Sequence, residues 1–234
     1  MKKLFLIIAA VVFIACMFFG YKAASRLFAA KAENQNNILE TPQTNLIQSN
    51  FLLVLVNDLT ADKPQLIALW GVLNYPSNPP QVVFLPLYPS TNAEMNQKIS
   101  SAFDLSATKK IPGRSMGKLE DAVDLTFDGY FAADNAALLR FAAYANLETL
   151  AIFNSPAESP EAIRAVEKGV NSLFTAVCQL CKTGASNSFF SKIEWSQLLP
   201  DHFSTDVSFE MLMLMIDRIN NAAALTTCEV LSSQ

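Results

Sequence analysis

Hydrophobic positions in this chain come in short continuous runs rather than in alternation. Residues 51–56, 66–73 and 82–87 form three such runs, rich in Val, Leu, Ile and Phe. Turn formers separate them: Asn57-Asp58, then a stretch from Asn74 through Pro76, Pro79 and Pro80. A strand buried on one face alternates apolar with polar residues, whereas a strand buried on both does not. The runs therefore predict neighbouring central strands of one sheet, with helices covering both faces. The prolines of the second separator exclude helix interior and central strand there. The fold class that follows is α/β, with a central mixed sheet of about five or six strands.

Further along, the spacing becomes helical. Residues 91–107 read as a helix capped by Thr91 or Asn92, with Ile99, Ala102 and Phe103 inward. Lys109-Lys110-Ile111-Pro112-Gly113-Arg114 reads as a basic loop, and 118–127 as a short amphipathic helix. Residues 130–133 read as a strand, followed by a helix through Ala145 capped by Asp134 or Asn135. Another strand is predicted over 150–153. The clearest helix covers 161–182, where Ile163, Val166, Val170, Leu173, Phe174, Val177 and Leu180 recur on one side. Ser159 suits its cap, Pro160 its first position and Gly184 the place just beyond its end. Residues 189–199 are ambiguous. A last helix starts at Asp206 or Ser208 and runs to about Ile219, and 225–234 read as a tail.

The N-terminus has a different character. After Met1-Lys2-Lys3, residues 4–20 carry no charge over seventeen positions. Such a run spans about 25 Å as a helix, close to a bilayer core, and Tyr21 with a snorkelling Lys22 extends it. The leading reading is a membrane anchor. A cleaved signal peptide is one alternative, and a lipoprotein, suggested by Ile14-Ala15-Cys16, is another. Lys2 and Lys3 precede the run while Lys22, Arg26 and Lys31 follow it, so charge does not set its orientation. The predicted organisation is an anchor or signal peptide over 1–21, a polar Asn- and Gln-rich linker over 22–49, one α/β domain over 50–222 and a C-terminal tail over 223–234.

Composition narrows the function. Of 234 residues 51% are hydrophobic, ample for a core, and the net charge of −4 gives no electrostatic support for binding nucleic acid. The one histidine, His202, reads as a surface loop residue. No nucleophile elbow, Walker loop or zinc signature is present, so no catalytic residue is assigned. Glu120, Asp121, Asp124 and Asp128 read as a solvated face balancing the basic loop before them. Cys178-Gln179-Leu180-Cys181 closes a helix, whereas a redox-active pair opens one. Three readings stay open for it: buried free thiols, a Cys178–Cys181 disulfide, or a disulfide from either to Cys228. Six basic residues, Lys98, Lys109, Lys110, Arg114, Arg140 and Arg164, could grip a phosphate or could be ordinary surface charges.

The order of these pieces resembles the LytR-CpsA-Psr family, whose domains read LLLGVDSR, then SDTMMLVSINP, then KVTLVSIPRDT. LLVLVNDL over 52–59 corresponds to the first piece and QVVFLPLYPS over 81–90 to the third. Lys98-Ile99-Ser100-Ser101-Ala102-Phe103 is similar to the family's KINAAY. FDGYFAAD over 127–134 is similar to IDYYVVVDF, and LLPDHFSTDVSFEMLML over 198–214 to the closing TDLS…ELL. The likeness covers roughly 50–220. It implies an extracytoplasmic domain, held at the bacterial cell membrane by a single N-terminal span. Such a domain binds a polyprenyl-phosphate-linked lipid, with arginines and a magnesium ion around the phosphates, and transfers its sugar to cell-wall glycan. On this sequence the phosphate-binding candidates are Arg164, in the first turn of its helix and matching a family Arg, Lys98 in the KINAAY-like piece, and Arg140. Asp58, where the family carries an Asp, is the candidate magnesium ligand.

The departures concern charge. Leu59 stands for the arginine of the first turn, Tyr88-Pro89-Ser90 for the Pro-Arg-Asp of the third strand, Glu167 for a later arginine, and Asn146-Leu147 for a Gly-Gly. The resemblance with these losses implies lipid binding with weak or no glycopolymer transfer. The alternative is a non-enzymatic envelope binding or scaffold domain that has lost the lipid site.

Overall fold

The structure is a computed structural model that describes residues 48–77, 79–145, 147, 156–157, 159–183, 192–220 and 227–232. The three apolar runs form an antiparallel meander: β1 (Ser49–Val56), β2 (Leu66–Tyr75) and β3 (Gln81–Tyr88). β4 (Gly129–Ala133) lies parallel to β1, with Leu53 opposite Phe131. β5 (Phe203–Thr205) closes that edge antiparallel to β4, and β6 (Thr227–Val230) closes the other, parallel to β3. The order β5-β4-β1-β2-β3-β6 is the mixed sheet that the runs predict, with six strands among the described residues.

β6 corrects the expectation of a tail over 223–234. Thr-Cys-Glu-Val is too short and too polar to signal a strand. Its place is set by the β3 edge and by a disulfide from Cys228 to Cys178. The compact unit begins at Leu46, a few residues before the predicted boundary.

Helix α1 (Ala93–Ala102) starts at Asn92, whose side chain accepts the Met95 N–H at 3.1 Å. It ends before the predicted residue 107 because Phe103 turns extended. α2 (Gly113–Val123) corrects the helix expected over 118–127. Pro112-Gly113 resembles a turn, but Pro112 sits just outside the first turn, where its missing N–H costs nothing. Asp124, at φ 53°, ends α2. α3 (Asn135–Tyr144) is capped by Asp134, and α4 (Pro160–Lys182) by Ser159 with Pro160 in its first turn. A 3₁₀ turn (Trp195–Gln197) leads to β5, and α5 (Phe209–Asn220) starts beyond Ser208, whose Oγ accepts the Met211 N–H. The Thr205-Asp206 pair holds the start of β4: Thr205 Oγ1 donates to Tyr130 O at 2.6 Å, and Asp206 Oδ1 accepts the Tyr130 N–H at 2.7 Å. Gly129 is required beside it, since a Cβ there would meet Val207 at 2.8 Å.

Each central strand feeds two cores. From β1, Leu52, Val54 and Val56 pack with Ile99, Ala102 and Leu119 of α1 and α2. Leu55 points the other way, into a core with Leu138 of α3 and Val166, Val170, Leu173 and Phe174 of α4. Phe174 stacks on Phe84 at 4.3 Å and meets Trp70 edge-on at 4.9 Å, which seats α4 on the sheet. No helix among the described residues is long and apolar enough to cross a membrane. The uncharged run 4–20, the strand expected over 150–153 and Gly184 lie outside the described residues.

Candidate functional site

β1, β3, β4 and β6 all point the same way, so their C-terminal ends share one edge of the sheet. In open α/β sheets that edge is where ligands bind. Two arrangements lie along it here, and an apolar cavity lies beneath one face.

At the β3–β6 end is an open cleft of about 1260 Å³, lined by Ser90, Thr91 and Asn96 on one side and by Arg164, Lys168 and Asn171 of α4 on the other. Asn96 fixes the β3–α1 loop by accepting the Ser90 N–H at 2.9 Å and donating to Ser90 O at 2.8 Å. The first turns of α1 and α4 both border the cleft, and helix starts favour anions. Arg164 and Lys168, one turn apart, add positive charge, and Glu167 between them subtracts from it. Asn171 Oδ1 is buried and accepts no hydrogen bond among the described residues, an acceptor in want of a donor. Cations, helix starts and that acceptor together suit a ligand carrying an anionic group and a hydroxyl.

At the β1–β4 end is a polar cluster that the sequence did not signal. Asp134, only 2% exposed, accepts four hydrogen bonds. Oδ1 takes the Ala136 and Ala137 N–H groups, and Oδ2 takes the Leu59 N–H at 3.2 Å and His202 Nδ1 at 2.8 Å. His202 is therefore not the plain loop residue expected: it is half-buried and held by a carboxylate. Only its aspartate-before-helix signal was legible. The partner lies 68 residues away in sequence and is brought in by β4–β5 pairing.

The predicted site residues separate. Arg164 faces the cleft. Lys98 is exposed and pairs with Glu94 one turn earlier at 2.8 Å. Arg140 donates to Gln197 Oε1. Asp58 turns its Oδ1 onto the Thr60 N–H and hydroxyl. Those two bonds, the hydroxyl first, hold Asp58 below the usual carboxylate range, with smaller help from His202 and Lys109. Magnesium takes one or two carboxylates together with waters and phosphate oxygens. Asp58 offers one oxygen not already bound to Thr60, and no cluster of three acidic, histidine or cysteine ligands exists among the described residues. Asp58 would supply the single carboxylate that such an ion takes, and the rest of its shell would come from phosphate oxygens and waters. Of the three positions where the resemblance leads one to expect an arginine, that of Leu59 is a fully buried part of the α1–α2 core.

Between the sheet and helices α3, α4 and α5 lies a cavity of about 240 Å³. Its walls include Phe84, Phe131, Phe141, Phe174, Trp195 and Phe203. Cys178 and Cys228 close a disulfide beside it, while Cys181 stays a free, buried thiol on its wall. Burial pushes the Cys181 thiol up, the opposite of an activated thiolate.

No protein-family model matches the chain, and no curated protein matches it. Solved structures do. Protein gbs0355 from Streptococcus agalactiae is similar at 13% identity, over 80% of this chain and 78% of that one, with a TM-score of 0.51. TagV from B. subtilis is similar at 10% identity over 81% and 86%, with a TM-score of 0.44. TagT, in a structure described as bound to LIIa-WTA, is similar at 6% identity over 82% and 81%, with a TM-score of 0.42. TagV and TagT are LytR-CpsA-Psr proteins. The likeness to gbs0355 is one of fold, and it agrees with the α/β architecture that the apolar runs predict.

Proposed function

We propose that this chain is a membrane-anchored extracytoplasmic domain of the bacterial envelope that holds a polyprenyl-phosphate-linked lipid and transfers its glycan weakly or not at all. The observation that carries this reading is the aromatic-walled cavity between sheet and helices. At roughly 30 Å³ per water-sized group it takes about eight methylenes, each contributing about 0.8 kcal/mol on burial. The Arg164–Lys168 cleft, bordered by two helix starts, suits the phosphate. The Cys178–Cys228 disulfide suits an oxidising compartment outside the cytoplasm. The uncharged run 4–20 suits the anchor. Transfer needs cations preorganised where charge develops, and losing one such donor commonly costs about 10²–10³ in rate. Leu59 and Pro89 supply none.

A second reading, a scaffold domain without lipid, is favoured by Lys98 and Arg140, whose contacts lie outside the cleft. Mass spectrometry of lipid extracted from the purified full chain separates the two. Polyprenyl phosphate is expected in the parent, reduced in Arg164→Ala and lost in Val177→Phe, which fills the cavity from a partly buried wall position. A parent that stays lipid-free when offered polyprenyl phosphate overturns the lipid reading, and efficient transfer to peptidoglycan overturns the weak-transfer part.

A further inference from the structure

Three cysteines converge at the last turns of α4, and two of them are bonded. Cys178 is joined to Cys228 of β6, and Cys181 is a free thiol three residues further along the same helix. Residues three apart on a helix are neighbours, with Cβ atoms about 5–6 Å apart. A disulfide needs Cβ atoms about 3.5–4.5 Å apart, so a small shift of the last turn brings Cys181 within bonding reach of Cys178. A helix yields most easily there, because its final carbonyls lack intrahelical partners. In α4 that turn is closed by Thr183, whose N–H and hydroxyl both donate to Gln179 O. Cys178, Cys181 and Cys228 are 4%, 8% and 3% exposed. Burial screens the disulfide from thiols in solution, while Cys181 lies on the same side of the screen.

We propose that these three cysteines form an internal exchange switch, in which Cys181 displaces Cys228 from Cys178 and so frees β6 from α4. The Cys181 thiolate attacks Cys178 Sγ, the Cys178–Cys181 bond forms, and the Cys178–Cys228 bond breaks. Cys228 leaves as a thiolate and takes up the proton that Cys181 gave up. One disulfide and one thiol stand on each side of the step, so it needs no oxidant or reductant. At rest, burial holds the switch off by pushing the Cys181 thiol up, with no charged group contributing. The cavity wall that Cys181 shares carries no acidic, basic, histidine or tyrosine side chain, and Lys182 is the charged residue beside it in the chain. The consequence reaches both spaces described above. β6 lends Cys228 to the cavity wall, and the chain just beyond it lends Ser232 to the cleft. Without the disulfide β6 is held by packing and by its ladder to β3, which is flanked by the Thr227 N–H to Pro80 O and Leu231 N–H to Phe84 O bonds, both at 2.9 Å. A four-residue edge strand opens easily, so the exchange loosens a wall of the cleft and of the cavity together. This holds whichever ligand either space takes.

The test follows the sulfurs by peptide mapping of the full chain, purified without reductant and incubated with iodoacetamide. Trypsin cuts after Lys168, Lys182 and Arg218, so Cys178 and Cys181 fall in one peptide and Cys228 in another. The expected product has these two peptides unlinked, the label on Cys228 and a Cys178–Cys181 disulfide within the first. Its rate should not depend on protein concentration and should rise about tenfold from pH 7 to pH 8, following the thiolate fraction. Label on Cys181 with the peptides still linked shows an idle thiol and overturns the proposal, as does label on Cys178. Cys181→Ala, folded by its thermal melt, should keep the peptides linked and Cys228 unlabelled. Release of Cys228 in that variant, as by Cys16 of a neighbouring molecule, also overturns it. Cys228→Ala fixes the exchanged state for the second half of the proposal. After oxidised glutathione it should hold a Cys178–Cys181 disulfide, and its Thr227 and Leu231 amides should exchange hydrogen at least about tenfold faster than in the parent. Two free thiols in that variant, or unchanged protection of those amides, would sink the switch.

Discussion

The two faces of the sheet are built from the same strands and pack differently. On one face, Leu52, Val54, Leu59, Leu69, Leu119 and Tyr130 meet α1 and α2 as a filled core, each no more than 1% exposed. On the other, residues of the same strands meet α3, α4 and α5 around a cavity of about 240 Å³. Large aromatic rings prop that face open: Phe131, Phe141, Trp195 and Phe203 stand at centroid distances of 5.7 to 6.3 Å. Protein interiors are normally close-packed, so an apolar void of this size forgoes dispersion contacts that smaller rearrangements could recover. One face is close-packed and the other keeps an apolar space between sheet and helices.

The disulfide belongs to the hollow face, where it stands in for missing packing. It closes a loop of 50 residues, for which chain entropy predicts about 4 kcal/mol. The double substitution Cys178→Ser, Cys228→Ser should lower stability by about that much in denaturant unfolding, with β6 released first in hydrogen exchange. A loss under about 1 kcal/mol would mean that the hollow face holds itself together.

Neighbouring residues of β1 offer a closer comparison. Leu52→Ala should cost about 3–4 kcal/mol, because its surroundings are filled and relax little, whereas Leu55→Ala, which enlarges an existing void, should cost about 2 kcal/mol. Equal costs would remove the distinction between the faces.

The smallest effect concerns pH. Burial holds the Tyr130 hydroxyl above its ordinary value of 10.0, against a smaller opposing influence of the Ile111 N–H that it accepts. Folding therefore favours the protonated phenol. That contribution is complete below the unfolded-state value near 10 and is lost as pH rises through the folded-state value. Tyr130→Phe should cost about 1 kcal/mol at neutral pH, through the unpaired Ile111 N–H, and should flatten the fall of stability above pH 10. An unchanged alkaline limb would assign that sensitivity elsewhere.

The central strands, the caps at Asn92, Asp134 and Ser159, and the long helix α4 were legible because each is decided within a few residues. β6, the His202–Asp134 pair and the choice of Cys178 over Cys181 were not, because each depends on a partner far away in sequence. Arg164 was legible as a residue near the start of a capped helix. Its companions in the cleft, Ser90 and Asn96 on the β3–α1 side, carry no signal of their own and gain one only when β3 and α4 are set side by side. Lys98 shows the reverse case: its motif suggested a ligand, while Glu94 one turn away already offered it an ordinary ion pair.

β2, with the sequence LIALWGVLNY, is a ten-residue apolar strand of the sort that templates cross-β stacking when a neighbour is missing. It lies in the middle of the sheet, and the two edges are closed by strands of only three and four residues, both from the last third of the chain. Short edges give an incoming chain little ladder to extend. A chain stopped before Phe203 would leave β4 and β3 as bare, longer borders, so the residues that look least structured in the sequence also guard the domain against aggregation.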